Sequence, residues 1–221
     1  MYPEFGSGGY CRLQSFHGHR AHDRKATECR HRGVTLYSPR PDHSRMSDDW
    51  RVIESVAEYE TGWYTGGYDL VEQPDGSTKK YYWADLPPAV VVLAVTDGQV
   101  VFVEQYRPVI REECLECPAG IVEDGESYTE AGARELREET GFDPSGISLL
   151  EEFYCSTGVL RHERGIVFAE GLTPVERELD SNEFLSVRSM PVEDALAAAR
   201  EAPANDATIE GLLLAEKEGL I

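Results

Sequence analysis

The sequence predicts an α/β fold, a mixed β-sheet with helices, preceded by a small antiparallel β-element. Three observations carry this prediction. Short apolar or aromatic runs bounded by turn residues recur between Val52 and Glu170. A helix with its own start and stop signals interrupts them at residues 128–140, and two further helical stretches close the chain. With 221 residues there is enough chain for one sizeable domain with extra elements and a real core.

The first 45 residues stand apart. They are rich in Gly, His, Arg and Ser and show no amphipathic period, so a disordered tail outside the fold is expected. Cys11, His17, His19, His22, Cys29 and His31 have no standard zinc-finger spacing. The change of composition at Met46-Ser47-Asp48-Asp49 also fits a translation start at Met46. Charge breaks at the same place: residues 1–45 carry 8 Lys+Arg against 4 Asp+Glu, while the whole chain is at −20, which leaves −24 for the remainder. A body this acidic, whose only lysines are Lys79, Lys80 and Lys217, looks adapted to high salt, where self-repulsion is screened, and argues against nucleic acid as a partner. No signal peptide is visible, and the longest apolar run, Ala89 to Val95, falls far short of the roughly 20 residues that span a bilayer. The expectation is a cytoplasmic protein with no membrane partner.

From Trp50 onward strands follow one another. Val52–Val56, Tyr64–Val71 and Lys79–Trp83 read as strands, with a turn at Gln73-Pro74-Asp75-Gly76-Ser77, and residues 46–87 form the expected N-terminal β-element. Pro87-Pro88 marks the join to the main domain, 88–221. Ala89–Val95 is a continuous apolar run suited to a central strand, and Thr96-Asp97-Gly98-Gln99 turns it into the return strand Val100–Arg107. Ile147–Tyr154 and Gly165–Glu170 read as strands joined by a loop that carries His162 and Glu163. Pro191–Ala202 reads as a helix capped by Ser189, and a last helix begins at Asp206 or Ala207 and runs to Glu218, with Ile209, Leu212, Leu213 and Leu214 buried. Cys114 and Cys117 form a C-x-x-C in a predicted strand without a second pair, which suits reduced thiols packed as small apolar groups.

The chemistry concentrates in residues 120–142. Ser127 with Glu130 is a capping box, Gly141 suits the left-handed position past a helix end, and the helix should run over Tyr128–Thr140. Glu135, Glu138 and Glu139 then share one arc of about 100°, beside a stripe formed by Thr129, Gly132, Ala133, Leu136 and Thr140. Two carboxylates about 4 Å apart repel by about 4 kcal/mol at an effective dielectric near 20, so a partly buried trio takes up protons or binds cations. Oxygen donors with no paired His or Cys select a hard ion, Mg²⁺ or Mn²⁺. On its own the trio fits a solvated helix face better than a cation site, since Glu is a good helix former and charge runs are usually surface.

The full spacing decides between them. Gly120, Glu126, Arg134, Glu135, Leu136, Glu138, Glu139, Gly141 and Phe142 resemble, position for position, the signature of the Nudix hydrolases. The resemblance implies an α/β/α sandwich and Mg²⁺-assisted hydrolysis of a nucleoside diphosphate linked to another group. It implies metal ligation by Glu135, Glu139, Glu138 and the carbonyl of Ala119, orientation of the carboxylates by Arg134, and loop-shaping roles for Gly120 and Glu126. Gln105-Tyr106-Arg107-Pro108 and Leu115-Glu116-Cys117-Pro118-Ala119-Gly120 resemble segments of the ADP-ribose pyrophosphatase branch, which implies a phosphate contact for Arg107 and a place in the substrate site for Glu116 and Gly120. Ser156-Thr157-Gly158 stands where that branch usually has Ser-Pro-Gly, and Glu163 stands near its general base. The branch also implies a homodimer paired through the N-terminal sheet. A hydrolase of another nucleoside diphosphate sugar, such as a GDP-hexose, and a non-catalytic ADP-ribose-sensing module remain the alternatives.

Overall fold

The computed structural model describes residues 35–36, 49–177, 179 and 184–221. Apart from Thr35–Leu36, the expectation of a disordered tail over residues 1–45 lies outside the described residues, as does the proposed start at Met46. The strands in chain order are β1 Thr35–Leu36, β2 Arg51–Glu60, β3 Thr65–Glu72, β4 Thr78–Asp85, β5 Ala89–Thr96 and β6 Gln99–Arg107. They continue as β7 Glu112–Glu116, β8 Ala119–Ile121, β9 Phe142–Tyr154, β10 Leu160–Arg161, β11 Glu163–Pro174 and β12 Leu185–Pro191. The helices are α1 Tyr128–Thr140, α2 Val192–Ala199 and α3 Asp206–Glu218.

Two sheets result. β2, β3 and β4 form an antiparallel meander edged by β1, and β10 joins its other side parallel to β4. The second sheet runs β12-β6-β5-β11-β9 and is mixed, because β11 lies parallel to β5 while the other pairs along this path are antiparallel. Asp97 and Gly98 both take positive φ, 51° and 73°, which is the tight hairpin turn that matches strand twist. Beyond Val101 the hairpin opens. β5 then pairs with β8 and β6 with β7, so the segment leading to α1 is threaded between the diverging strands.

Strand alternation builds the layers. Val90, Val92 and Ala94 of β5 pack with Val101, Val167 and Ala169 against Ala131 and Leu136 of α1. Val91 and Leu93 point the other way and pack with Phe102, Ile166 and Phe168 against Ala195, Ala199, Leu212 and Ala215 of α2 and α3. This is an α/β/α sandwich, and it explains why β5 reads as an unbroken apolar run: both faces are covered. Each fully buried Val, Leu or Phe here adds roughly 1.5–3 kcal/mol of burial. A Cβ on Gly132 would come within 2.7 Å of Val167 Cγ2, so glycine there lets α1 approach the sheet.

Several expectations are corrected. Ser189 does not cap α2; it lies within β12 opposite Val101, and pairing with β6 holds the chain extended until Pro191, where no side chain caps the helix. Leu213 is exposed, since Leu212 and Ala215 take the inward positions of α3. Glu163 opens β11 rather than sitting in a loop, and β9 starts at Phe142, paired with Pro174, well before Ile147. No helix among the described residues is long and apolar enough to cross a membrane.

Candidate active site

Local signals fix the frame of α1. Ser127 Oγ accepts the Glu130 N–H, Glu130 Oε2 accepts the Ser127 N–H at 2.8 Å, and Gly141 ends the helix at φ 73°. In that frame Glu135 and Glu139 face β8 and are nearly buried, at 8% and 4% exposure, while the Glu138 side chain is 38% exposed. Glu139 Oε2 accepts the Ala119 N–H at 3.0 Å. Gly120 lies against Glu135, and any Cβ at position 120 would strike the Glu135 carboxylate.

Arg134 ties the helix to the preceding loop. Its Nε and Nη2 donate to the two oxygens of Glu126 at 2.9 and 3.0 Å, a bidentate pair. Its Nη1 donates to Glu135 Oε1 at 2.7 Å and Glu138 Oε2 at 3.1 Å, and Nη2 also reaches the Ile121 carbonyl at 2.9 Å. These bonds raise the guanidinium's pKa further, those from Glu126 above all. Arg134 in turn holds the Glu126 carboxyl below the usual carboxylate range.

Arg107, Glu116, Ala119 and Gly120 meet in a cavity of about 250 Å³ where β5 and β6 diverge. Glu116 is 5% exposed. Its Oε2 accepts from Gln105 Nε2 at 2.9 Å and from Arg107 Nε and Nη2 at 2.9 and 2.5 Å, and its Oε1 accepts from Asn205 Nδ2 at 2.8 Å. Asn205 also caps α3, accepting the Thr208 N–H at 3.0 Å, and Thr208 Oγ1 accepts the Cys117 N–H at 2.9 Å. Gln105, Arg164 and Asn205 escaped the sequence reading. An Asn before Asp206 is a readable cap, but nothing local links it to Glu116 across 89 positions.

Glu163 is not brought to that cavity. Gly165, two residues on in the same strand, lies under the Tyr128 ring, so alternation turns Glu163 toward the α1 side. There it lines a separate cavity of about 370 Å³ with Glu126, Tyr128 and Glu152. Burial, followed by the charges of Glu152 and Glu163, pushes the Tyr128 phenol up to about 12. His162 and Arg164 take the other side. His162 lines the Arg107 cavity with Nδ1 2.9 Å from the Pro87 carbonyl, and Arg164 faces Asp206 and Glu210 of α3, each at 3.5 Å. Cys114, Cys117 and Cys155 are free and buried, and burial pushes the Cys117 thiol up to about 12.

A three-layer α/β/α domain with a carboxylate-rich helix packed beside a cavity lined by Arg107 and Glu116 defines the class, and sequence comparison gives it a name. The NUDIX domain profile matches residues 85–212, and the chain belongs to the Nudix family of hydrolases. Within it the chain stands in the ADP-ribose pyrophosphatase-like branch. It is 40% identical over 129 residues to the ADP-ribose pyrophosphatase of Bacillus subtilis, covering 57% of this chain and 70% of that protein. It is 35% identical over 136 residues to the methanol dehydrogenase activator of Bacillus methanolicus, covering 60% and 74%. The fold matches the crystal structure of an ADP compounds hydrolase with a TM-score of 0.69 at 22% identity, over 80% of this chain and 98% of that one.

Nudix hydrolases in general use a divalent metal ion. Among the described residues no three His, Cys, Asp or Glu side chains converge into a ready-made cation site; Arg134 and the Ala119 N–H hold the α1 carboxylates in hydrogen bonds instead. The donor set still fits a hard cation. It offers carboxylate oxygens only, two of the groups are nearly buried, and the position beside Glu135 tolerates no side chain.

Proposed function

We propose that the chain hydrolyses the diphosphate of ADP-ribose to AMP and ribose 5-phosphate with Mg²⁺, or Mn²⁺ in its place. The observation that carries this reading is the Arg134-held carboxylate face of α1 meeting, at Ala119-Gly120, the cavity that contains Arg107. Glu135, Glu138, Glu139 and the Ala119 carbonyl are the residues that would hold the metal. A cation held there neutralises the diphosphate and lowers the pKa of the attacking water. Arg134 orients the carboxylates, and Glu126 fixes Arg134. Arg107, anchored by Glu116, presents its remaining N–H groups to a phosphate. Glu163, which faces the α1 side with Glu126 rather than the Arg107 cavity, takes a proton from a water on that side as the water oxygen attacks phosphorus and the bridging P–O bond breaks. The name of the Bacillus subtilis relative supports the choice of ADP-ribose. Residues 46–87 act in this reading as the β-element that pairs two copies, supported by the exposed Ile53 and Tyr82 on its sheet and Trp63 in the turn between β2 and β3.

Product analysis over ADP-ribose and a GDP-hexose, with and without Mg²⁺, tests the proposal. AMP and ribose 5-phosphate in equal amounts are expected. Faster turnover of the GDP-hexose would move the substrate assignment, and calorimetric binding of ADP-ribose without product would make the chain a sensing module.

A further inference from the structure

We infer that Asp69, Trp83 and Arg161 form a clamp by which the N-terminal sheet positions, within one chain, the segment that carries Glu163; this rests on Glu163 being the proton acceptor proposed above. β10 is part of the first sheet although it lies far along the chain. Leu160 and Arg161 pair in parallel with Ala84 and Asp85, the Ala84 N–H donates to the Val159 carbonyl at 2.9 Å, and the Leu86 N–H donates to the Arg161 carbonyl at 3.1 Å. The Arg161 side chain locks this pairing. Its guanidinium carbon lies 4.1 Å from the Trp83 ring centre, and Nη2 pairs with Asp69 Oδ2. The other oxygen of Asp69 accepts from Ser55 Oγ at 2.6 Å and Trp83 Nε1 at 3.0 Å, so β2, β3 and β4 all contribute to one anchor.

The next residues transmit it. His162 Nδ1 meets the Pro87 carbonyl at 2.9 Å, and the His162 carbonyl accepts the Cys155 N–H at 3.0 Å. Glu163 follows at once, opposite Tyr154 of β9. From Ser156 to Val159 the chain is a turn with Ser156 at φ 43°, so β10 and its clamp are what connect Glu163 to a rigid sheet on its N-terminal side. Arg161 and Asp69 are positioning residues.

The test uses the full chain. Arg161→Met and Asp69→Asn should lower kcat for ADP-ribose roughly 10- to 100-fold, the scale of ångström misplacement of a reacting group, with KM near wild type. They should also speed hydrogen exchange at the Ala84 and Leu86 amides about tenfold or more while distant amides of β5 stay protected. Arg161→Lys, which keeps the charge, should recover part of kcat and serves if Arg161→Met does not fold. Wild-type kcat overturns the inference, as does a fall in kcat without faster exchange at Ala84 and Leu86. Glu163→Gln in the same buffers separates the two ideas. An inactive Glu163→Gln beside a fully active Arg161→Met sinks the clamp alone. A fully active Glu163→Gln sinks the proton-acceptor assignment, and the clamp then stands or falls on the exchange rates.

Discussion

Two arginine–carboxylate networks flank the mouth of the site, and their proportions are reversed. On α1 a single guanidinium, Arg134, serves Glu126, Glu135 and Glu138. Across the cavity a single carboxylate, Glu116, accepts from Arg107, Gln105 and Asn205. A carboxylate has about four lone-pair sites, and Glu116 fills them from one cation and two amides. Arg107 and Glu116 cancel in charge, so this network holds its members still, and what it offers a ligand is the N–H groups of Arg107 that Glu116 does not take. The α1 network keeps a surplus of negative charge even with Arg134 in place, and such a surplus lowers its energy by gathering cations. One network is a brace and the other is an unfinished ion cluster.

The largest effect should come from spoiling the unfinished cluster without touching its charges. Gly120→Ala puts a methyl group where the Glu135 carboxylate lies. Displacing that carboxylate by about 1 Å should cost roughly 100-fold in kcat, beside about 1–3 kcal/mol of stability from the overpacking. Steady-state kinetics beside calorimetric melting gives the answer. Turnover within a few-fold of wild type would mean that the placement of Glu135 is irrelevant to the reaction.

Arg134→Met should come next. It removes the guanidinium that lies 2.7 Å from the largely buried Glu135, at a cost of about 3 kcal/mol in urea unfolding. Millimolar MgCl₂ should restore more stability to this variant than to wild type, because the ion then replaces the guanidinium. Equal gains would break the comparison. The pH dependence follows from Glu126, whose carboxyl Arg134 holds low. Its contribution is present above the ordinary Glu value of about 4.3 and is lost as pH falls through the depressed folded value. In Arg134→Met that acid step should shrink or vanish.

The two networks also differ in how readable they were. The α1 cluster spans residues 126–139, so helix period, a capping box and a terminal glycine suffice to place its members, and the bounds of α1 follow from sequence alone. The brace joins residues 105, 107, 116 and 205, and its geometry depends on β5 and β6 diverging to admit β7 and β8, which no local signal announces. The same holds for Arg161, whose partner Asp69 lies 92 positions away. Ser189 was misjudged as a cap because local helix chemistry competed with pairing to β6, and the sheet prevailed. Leu213 fell outside because α3 packs only one stripe of its Leu-rich turn.

A smaller effect is expected from the brace. Glu116→Gln keeps the shape but removes the charge that Arg107 faces and places an amide against the Gln105 and Asn205 donors, one of which then lacks an acceptor. The cost should be about 1–3 kcal/mol in stability. Arg107, no longer fixed, should raise KM for ADP-ribose several-fold while kcat stays within a small factor. A loss confined to kcat would place Glu116 in the chemistry rather than in the brace.

The smallest effect tests whether the α3 side carries any surplus of its own. Glu210 reaches Arg164 only at 3.5 Å, and burial, reinforced by Asp206, raises its carboxyl pKa. A carboxyl raised above its unfolded value is less willing to ionise in the fold, so its ionised form costs stability at neutral pH and costs nothing below about pH 4.3. Its side chain is 43% exposed, and solvent screening leaves roughly 0.5 kcal/mol or less. Glu210→Gln should therefore raise the melting temperature by about 1 °C at pH 7 and leave it unchanged at pH 4. If the variant melts lower at pH 7, the long contact to Arg164 outweighs the burial, and the α3 side is braced by two arginines, Arg107 and Arg164, instead of one.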